Sequence, residues 1–147
     1  METGKKRRKE QESYRTMRIM VIDDDSTFLF IFRKQIEKLE EIMIVNESRN
    51  GSEAISYLKG TINNLGEMPD LIVLDLNMPV MDGWDFLDEY VKICENGAQK
   101  VPVCILSSTI NQADFDRANT YESVKSFFSK PITSEQLKTM KKISEIY

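Results

Sequence analysis

The chain contains no histidine among its 147 residues, and this absence excludes several kinds of chemistry. Without an imidazole it has no histidine general base, no histidine metal ligand and no phosphohistidine relay of its own. Its two cysteines, Cys94 and Cys104, lack CxxC spacing, so we expect reduced thiols. No GxGxxG or GxxxxGK motif occurs, which disfavours a nucleotide-binding fold.

Long apolar runs are also missing, since none approaches the roughly 20 residues that a membrane span requires. The basic N-terminus has no apolar stretch behind it, so no signal peptide is evident. These absences predict a cytoplasmic location and no membrane partner. A hydrophobic content of 41% and a charged content of 30% are typical of a globular protein, and the length suits one domain with its own core.

The N-terminal segment differs from the rest of the chain in charge. Residues 1–16 carry six Lys or Arg and three Glu without apolar periodicity, whereas the chain as a whole has a net charge of −4. We therefore predict a flexible basic tail, 1–16, and one folded domain, 17–147. The KKRRK run is short, lacks interleaved aromatic residues and precedes an acidic domain, so we disfavour nucleic-acid binding.

The folded part alternates strand and helix patterns, which predicts an α/β doubly wound parallel sheet with right-handed crossovers. Apolar runs predict five strands, over 18–22, 42–45, 71–74, 101–106 and 124–128. Helical spacing and turn residues predict five helices. The first covers 26–39, with Ser26 as a candidate cap, and the second ends at Gly60. The third runs from Asp82 to Asn96, the fourth covers 111–119 with Phe115 in the core, and the fifth covers 134–146.

Polar side chains follow four of the predicted strands. Asp23 and Asp24 follow the first, Asp75 the third, Ser107 the fourth and Lys130 the fifth. Each alone is commonly a turn or a cap. Because ligands of such sheets bind at the carboxyl ends of the strands, we expect these side chains to converge on one site.

The residue types at these strand ends favour magnesium and phosphoryl chemistry. Clustered carboxylates repel one another unless a cation binds among them, and an all-oxygen set suits Mg²⁺ rather than zinc. With the metal held by Asp23, Asp24 and one oxygen of Asp75, the other Asp75 oxygen is free to attack phosphorus. Ser107 can donate a hydrogen bond to the phosphoryl group, and Lys130 can neutralise its charge.

The segments VIDDDS, LIVLDLNMPVMDG, CILSS and FFSKPI, in this order, resemble the four motifs of the receiver domain of two-component response regulators. The resemblance runs from about Met17 to the C-terminus. It implies a flavodoxin-like receiver fold with strand order 2-1-3-4-5 and Asp75 as the phosphoacceptor. It also implies that Asp23 and Asp24 form the acidic pair that binds Mg²⁺, with the backbone carbonyl of Asn77 as a further metal contact.

By the same resemblance, Ser107 is the switch hydroxyl and Lys130 the lysine that contacts the phosphoryl group. Phe127 stands at the aromatic switch position, where many members have Tyr, so switching would depend on ring burial alone. Asn77 and Thr109 occupy the positions that tune dephosphorylation. The implied partners are a sensor histidine kinase as phosphodonor and a downstream protein or phosphotransfer domain, with the chain a monomer or weak dimer.

No further domain follows Tyr147 in this sequence, so the chain resembles single-domain receivers without a DNA-binding domain. It is then a signalling phosphoacceptor that catalyses only its own phosphorylation and dephosphorylation. One alternative is a phosphorylation-independent adaptor, which would have no need of repelling carboxylates. Another is a metal-dependent phosphatase, which would need a second carboxylate at position 77, where this chain has Asn77.

Overall fold

A computed structural model describes residues 16–62, 64, 67–109 and 111–147, so most of the predicted tail lies outside the described residues. The strands are β1 Met17–Ile22, β2 Ile42–Ser48, β3 Leu71–Leu74, β4 Val103–Ser107 and β5 Val124–Ser129. They form one sheet in the order β2-β1-β3-β4-β5, and every neighbouring pair is parallel. The predicted fold class and strand order are confirmed.

Five helices connect or follow the strands. They are α1 Ser26–Glu37, α2 Gly51–Thr61, α3 Gly83–Glu95, α4 Gln112–Ala118 and α5 Ser134–Ile146. Each begins with a side chain that accepts hydrogen bonds from backbone N–H groups of the first turn, from Asp25, Asn50, Asp82, Asn111 and Thr133 respectively. Among the described residues, no helix combines the length and the apolar character needed to cross a membrane.

Two apolar layers cover the sheet, one on each face. Helices α1 and α5 enclose one layer, which includes Phe32 and Met140, and α2, α3 and α4 enclose the other, which includes Leu58 and Phe86. Strands β3 and β4 are buried along their whole length. Apolar residues fill both strands up to their ends. The first polar side chains, Asp75 after β3 and Ser107 at the end of β4, therefore lie at the carboxyl edge of the sheet.

Several local predictions are wrong. Asp25 rather than Ser26 caps α1, because its carboxylate accepts from the backbone N–H groups of Thr27 and Phe28. Gly60 lies inside α2, which continues to Thr61. Phe115 is 44% exposed, since the short helix α4 buries only Ala118.

Candidate functional site

Neighbouring strands bring Asp23 and Asp75 together. Strands β1 and β3 pair in register up to Ile22 and Leu74, so the residues that follow leave the sheet side by side. The backbone N–H of Asp75 donates to the carbonyl of Ile22 at 2.9 Å, which fixes this arrangement. Both aspartates are buried, with exposures of 2% for Asp23 and 6% for Asp75, whereas Asp24 is exposed.

The three carboxylates form a cluster that fits a divalent cation. One oxygen from each of Asp23, Asp24 and Asp75 lies within 4.8 Å of the others. Burial, reinforced by the charge of Asp23, raises the pKa of Asp75 to about 6. Burial also raises the pKa of Asp23, although its contact with Lys130 opposes the rise. A bound cation would relieve this repulsion, and an all-oxygen donor set is the kind that Mg²⁺ prefers.

Lys130 reaches into this cluster from the end of β5. Its Nζ lies 2.6 Å from Oδ2 of Asp23 and 3.9 Å from Oδ1 of Asp75, and its side chain is only 14% exposed. The backbone N–H of Lys130 donates to the carbonyl of Ser107 at 2.9 Å, which ties the end of β5 to β4. The peptide bond between Lys130 and Pro131 is cis.

Ser107 is fully buried at the end of β4, and its hydroxyl already has an acceptor. The Oγ atom donates to the backbone carbonyl of Thr109 at 3.0 Å. The hydroxyl is therefore bonded to the loop after β4, and any contact with a phosphoryl group on Asp75 would require it to change partner. Thr109 itself is exposed.

The remaining predicted residues lie around the cluster. Phe127 is partly buried on β5, and its ring centroid is 6.2 Å from that of Phe115 on α4. Asn77 is exposed in the loop between β3 and α3. The metal contact predicted for the backbone carbonyl of Asn77 stays a prediction.

Close backbone approach holds the loop after Asp75 in place. Gly83 donates its N–H to the carbonyl of Leu76 at 2.9 Å. A Cβ atom on Gly83 would lie 2.6 Å from the carbonyl oxygen of Asp75, so no larger residue fits without movement of the backbone. The Asp82-Gly83 turn signal located this loop in the sequence, but it did not reveal the contact with the Asp75 backbone.

Sequence reasoning missed one residue of the site. Phe28 on α1 is buried in the apolar core, with an exposure of 9%. Its ring also faces the Nζ of Lys130, at 4.4 Å from the ring centroid. No local pattern could have indicated this contact, because the two residues lie at opposite ends of the domain sequence.

The family model of the response regulator receiver domain matches residues 19–142. Curated relatives include protein-glutamate methylesterase/protein-glutamine glutaminase 3 from Burkholderia thailandensis, which is 33% identical over 74% of this chain and 27% of its own length. Sensor histidine kinase CheAY from Helicobacter pylori is 33% identical over 86% of this chain and 15% of its own length. The chain thus spans only a minor part of these two relatives.

Solved structures agree with the family. A two-component response regulator from Cytophaga hutchinsonii superimposes with a TM-score of 0.80 and 26% identity, over 90% of this chain and 99% of that one. The phosphorylated cyanobacterial phytochrome response regulator RcpA gives a TM-score of 0.68 and 28% identity, over 90% and 94%. This chain belongs to the response regulator receiver domain family of two-component signalling.

Proposed function

We propose that this protein accepts a phosphoryl group from a histidine kinase on Asp75, and that it signals by a conformational switch or by passing the phosphate on. Receiver domains are signalling phosphoacceptors that take phosphate from histidine kinases. The observation that carries the proposal is the cluster of Asp23, Asp24 and Asp75 within 4.8 Å, with Lys130 beside it. Such a set of charges at the carboxyl edge of a parallel sheet matches the needs of phosphoryl transfer.

The carboxylates supply both the metal ligands and the nucleophile in this proposal. Asp23, Asp24 and one oxygen of Asp75 would hold Mg²⁺, with the backbone carbonyl of Asn77 as a further ligand. When bound, Mg²⁺ neutralises negative charge and orients the phosphoryl group. The second oxygen of Asp75 attacks phosphorus as the bond to the donor breaks, which leaves an aspartyl phosphate.

Lys130 and Ser107 would form new contacts with the negatively charged phosphoryl group on Asp75. The ammonium of Lys130, now 3.9 Å from Asp75, is close enough to pair with a phosphoryl oxygen after a small movement. Ser107 would turn its hydroxyl from the carbonyl of Thr109 to another phosphoryl oxygen. This exchange of partners moves the loop between β4 and α4.

Phe127 would transmit that movement to the surface. Its ring contacts Phe115, so displacement of the loop before α4 changes how deeply Phe127 is buried. Phosphorylation can only bias an existing equilibrium between two such arrangements, by its different affinity for each. The altered surface of α4, β5 and α5 would then bind a downstream protein or a phosphotransfer domain, with the chain acting as a monomer or weak dimer.

Return to the resting state would depend on water reaching Asp75. Asn77 and Thr109 are both exposed and lie on the two loops that follow β3 and β4. We propose that their polar side chains admit and orient the attacking water, so that substitution at either position changes the lifetime of the phosphorylated state.

The test is incubation with acetyl phosphate, with and without Mg²⁺, followed by intact mass measurement. We expect a gain of one phosphoryl group that requires Mg²⁺ and is lost in Asp75→Asn. The matched control is Asp85→Asn, because this exposed carboxylate lies in the first turn of α3. Labelling that persists in Asp75→Asn would move the acceptor elsewhere. Failure to accept phosphate from both acetyl phosphate and a histidine kinase, together with no Mg²⁺ binding, would favour the adaptor alternative.

A further inference from the structure

The ammonium of Lys130 lies between a carboxylate and an aromatic ring. Its Nζ is 2.6 Å from Oδ2 of Asp23 and 4.4 Å from the centroid of the Phe28 ring. The Lys130 side chain is 14% exposed and Phe28 is 9% exposed, so little water screens either contact. A cation is attracted to the face of an aromatic ring, and more strongly where water is excluded.

The Phe28 ring is held firmly in its orientation. Phe28 lies in the first turn of α1, where its backbone N–H donates to the capping carboxylate of Asp25 at 3.2 Å. Its ring stacks on that of Phe32, with centroids 5.5 Å apart and an interplanar angle of 21°. Because Phe32 is completely buried, the Phe28 ring has a fixed support and offers Lys130 a preorganised surface.

A cation at the carboxylate cluster would weaken two of the three contacts of Lys130, those with Asp23 and Asp75, and would leave only the contact with the Phe28 ring intact. It would draw Asp23 away from the ammonium, whereas the uncharged ring of Phe28 would be unaffected. A lysine without a partner gains rotamer freedom and hydration by extending into solvent. Some other contact must therefore keep the ammonium near Asp75 at the moment of phosphoryl transfer.

We propose that Phe28 is a positioning residue, whose ring retains the Lys130 ammonium in the site once Asp23 is occupied by a metal. This inference rests on the proposed function, which gives Lys130 its contact with the phosphoryl group. The ring does not touch the reacting atoms. It acts by keeping Lys130 within reach of Asp75, so the charge that stabilises the transferred group is in place beforehand.

The kinetic test compares Phe28→Leu, which keeps apolar bulk but removes the ring face, with Phe28→Tyr, which keeps the ring. At saturating Mg²⁺ we expect the rate of labelling by acetyl phosphate to fall on the order of threefold to tenfold in Phe28→Leu, because this variant loses a partly desolvated cation–π contact. Phe28→Tyr should retain most of the wild-type rate. Phe30→Leu is the matched control, since Phe30 is an exposed ring on the same helix beside Lys34.

A Lys130→Ala background separates positioning from support of the fold. Phe28→Leu should cause no further slowing there, because the ammonium that the ring positions is absent. An equal slowing in both backgrounds would show that Phe28 acts only through the fold, and it would overturn the proposal.

A second measurement does not depend on phosphorylation. Protons next to Nζ of Lys130 should show an upfield ring-current shift by NMR, assigned by its loss in Lys130→Ala. We expect the shift to persist at saturating Mg²⁺ in wild type and Phe28→Tyr, and to be absent in Phe28→Leu. If Mg²⁺ moves the wild-type signal to that of an exposed lysine, the proposal is wrong. A wild type that accepts phosphate from neither acetyl phosphate nor a histidine kinase would contradict the proposed function, whereas this spectrum would still decide the role of Phe28.

Discussion

Lys130 Nζ lies 2.6 Å from Oδ2 of Asp23, so an ion pair occupies a carboxylate that is proposed to bind Mg²⁺. Both side chains are largely removed from water, with exposures of 14% and 2%. A metal ion would therefore compete with the ammonium for the Asp23 carboxylate. We therefore expect the lysine to oppose metal binding before phosphorylation, in addition to its proposed contact with phosphate.

The first prediction follows from this competition. Lys130→Ala should bind Mg²⁺ more tightly than wild type, by about tenfold if roughly 1.4 kcal/mol of competing interaction is removed. Isothermal titration calorimetry measures the change directly. Lys125→Ala is a suitable control, because Lys125 is also on β5 but contacts the ring of Tyr147. Weaker binding in Lys130→Ala would instead mean that the lysine holds the carboxylates in position for the metal.

The second prediction concerns pH. The pKa of Asp75 is raised from 3.8 to about 6 in the folded protein, chiefly by burial. Because the folded state holds this proton more tightly than the unfolded state, its stabilising contribution is complete below about pH 4 and is lost as pH rises through about 6. Without Mg²⁺, the free energy of unfolding should fall over this window, with Asp75 contributing about 2 kcal/mol.

Asp75→Asn tests that linkage. Removal of the titrating group should leave the variant more stable than wild type at pH 7 and similar to it near pH 4. Urea denaturation in the presence of a chelator supplies the comparison. Asp23 also has a raised pKa and remains in the variant. The contribution of Asp75 is therefore the difference between the wild-type and variant curves of unfolding free energy against pH, rather than either curve alone. Parallel curves across the window would contradict the assignment.

A third prediction uses the close contact beneath the phosphoacceptor. Gly83→Ala would place a Cβ atom 2.6 Å from the carbonyl oxygen of Asp75 and 2.8 Å from Cα of Leu76. Both contacts are with backbone, which cannot swing aside, so the free energy of unfolding should fall by about 2–3 kcal/mol. Phosphorylation should also slow, because relief of the clash moves Asp75.

Gly60→Ala is the matched control for that change. Gly60 lies within α2, and a Cβ atom there would meet nothing within 4 Å. Alanine is the better helix former, so this substitution should raise the free energy of unfolding by about 0.5–1 kcal/mol. If both substitutions had the same effect, the contact of Gly83 with the Asp75 backbone would not be the cause.

The strand ends of this domain were predictable because the central strands have an unambiguous sequence signature. Strands β3 and β4 are continuous apolar runs that are buried on both faces, and each is followed at once by polar residues. Parallel pairing then places those residues at one edge of the sheet. The positions of Asp23, Asp75 and Lys130 at that edge followed without any knowledge of side-chain packing.

The features that escaped prediction depend on tertiary contacts or on a choice between equivalent residues. Asp25 and Ser26 are both good helix caps, and only the backbone conformation decides between them. Phe115 belongs to a helix of seven residues, which is too short for apolar spacing to define a buried face. The pairing of Lys130 with Asp23 and Phe28 is set by the packing of α1 against the end of β5, which no local pattern encodes.

The last prediction concerns how α4 is attached. Beyond the buried Ala118, it is held to α3 by a partly exposed cluster in which the Arg117 guanidinium lies 4.4 Å from the centroid of Trp84. The Tyr121 ring also stacks on Trp84, at 6.1 Å, and its hydroxyl donates to Asp88 at 2.7 Å.

Arg117→Ala should therefore loosen α4 without unfolding the domain, at a cost of about 0.5–1 kcal/mol for an exposed cation–π contact. Hydrogen exchange of the α4 amides should accelerate while that of β3 stays slow, and the emission of Trp84, the chain's only tryptophan, should change. Arg33→Ala, which removes a surface ion pair with Glu47, should leave α4 unaffected. Unchanged exchange in Arg117→Ala would mean that Ala118 and the contact between Phe115 and Phe127 hold the helix by themselves. Faster exchange would instead identify the Arg117–Trp84 contact as a restraint that any phosphorylation-driven movement of α4 must overcome.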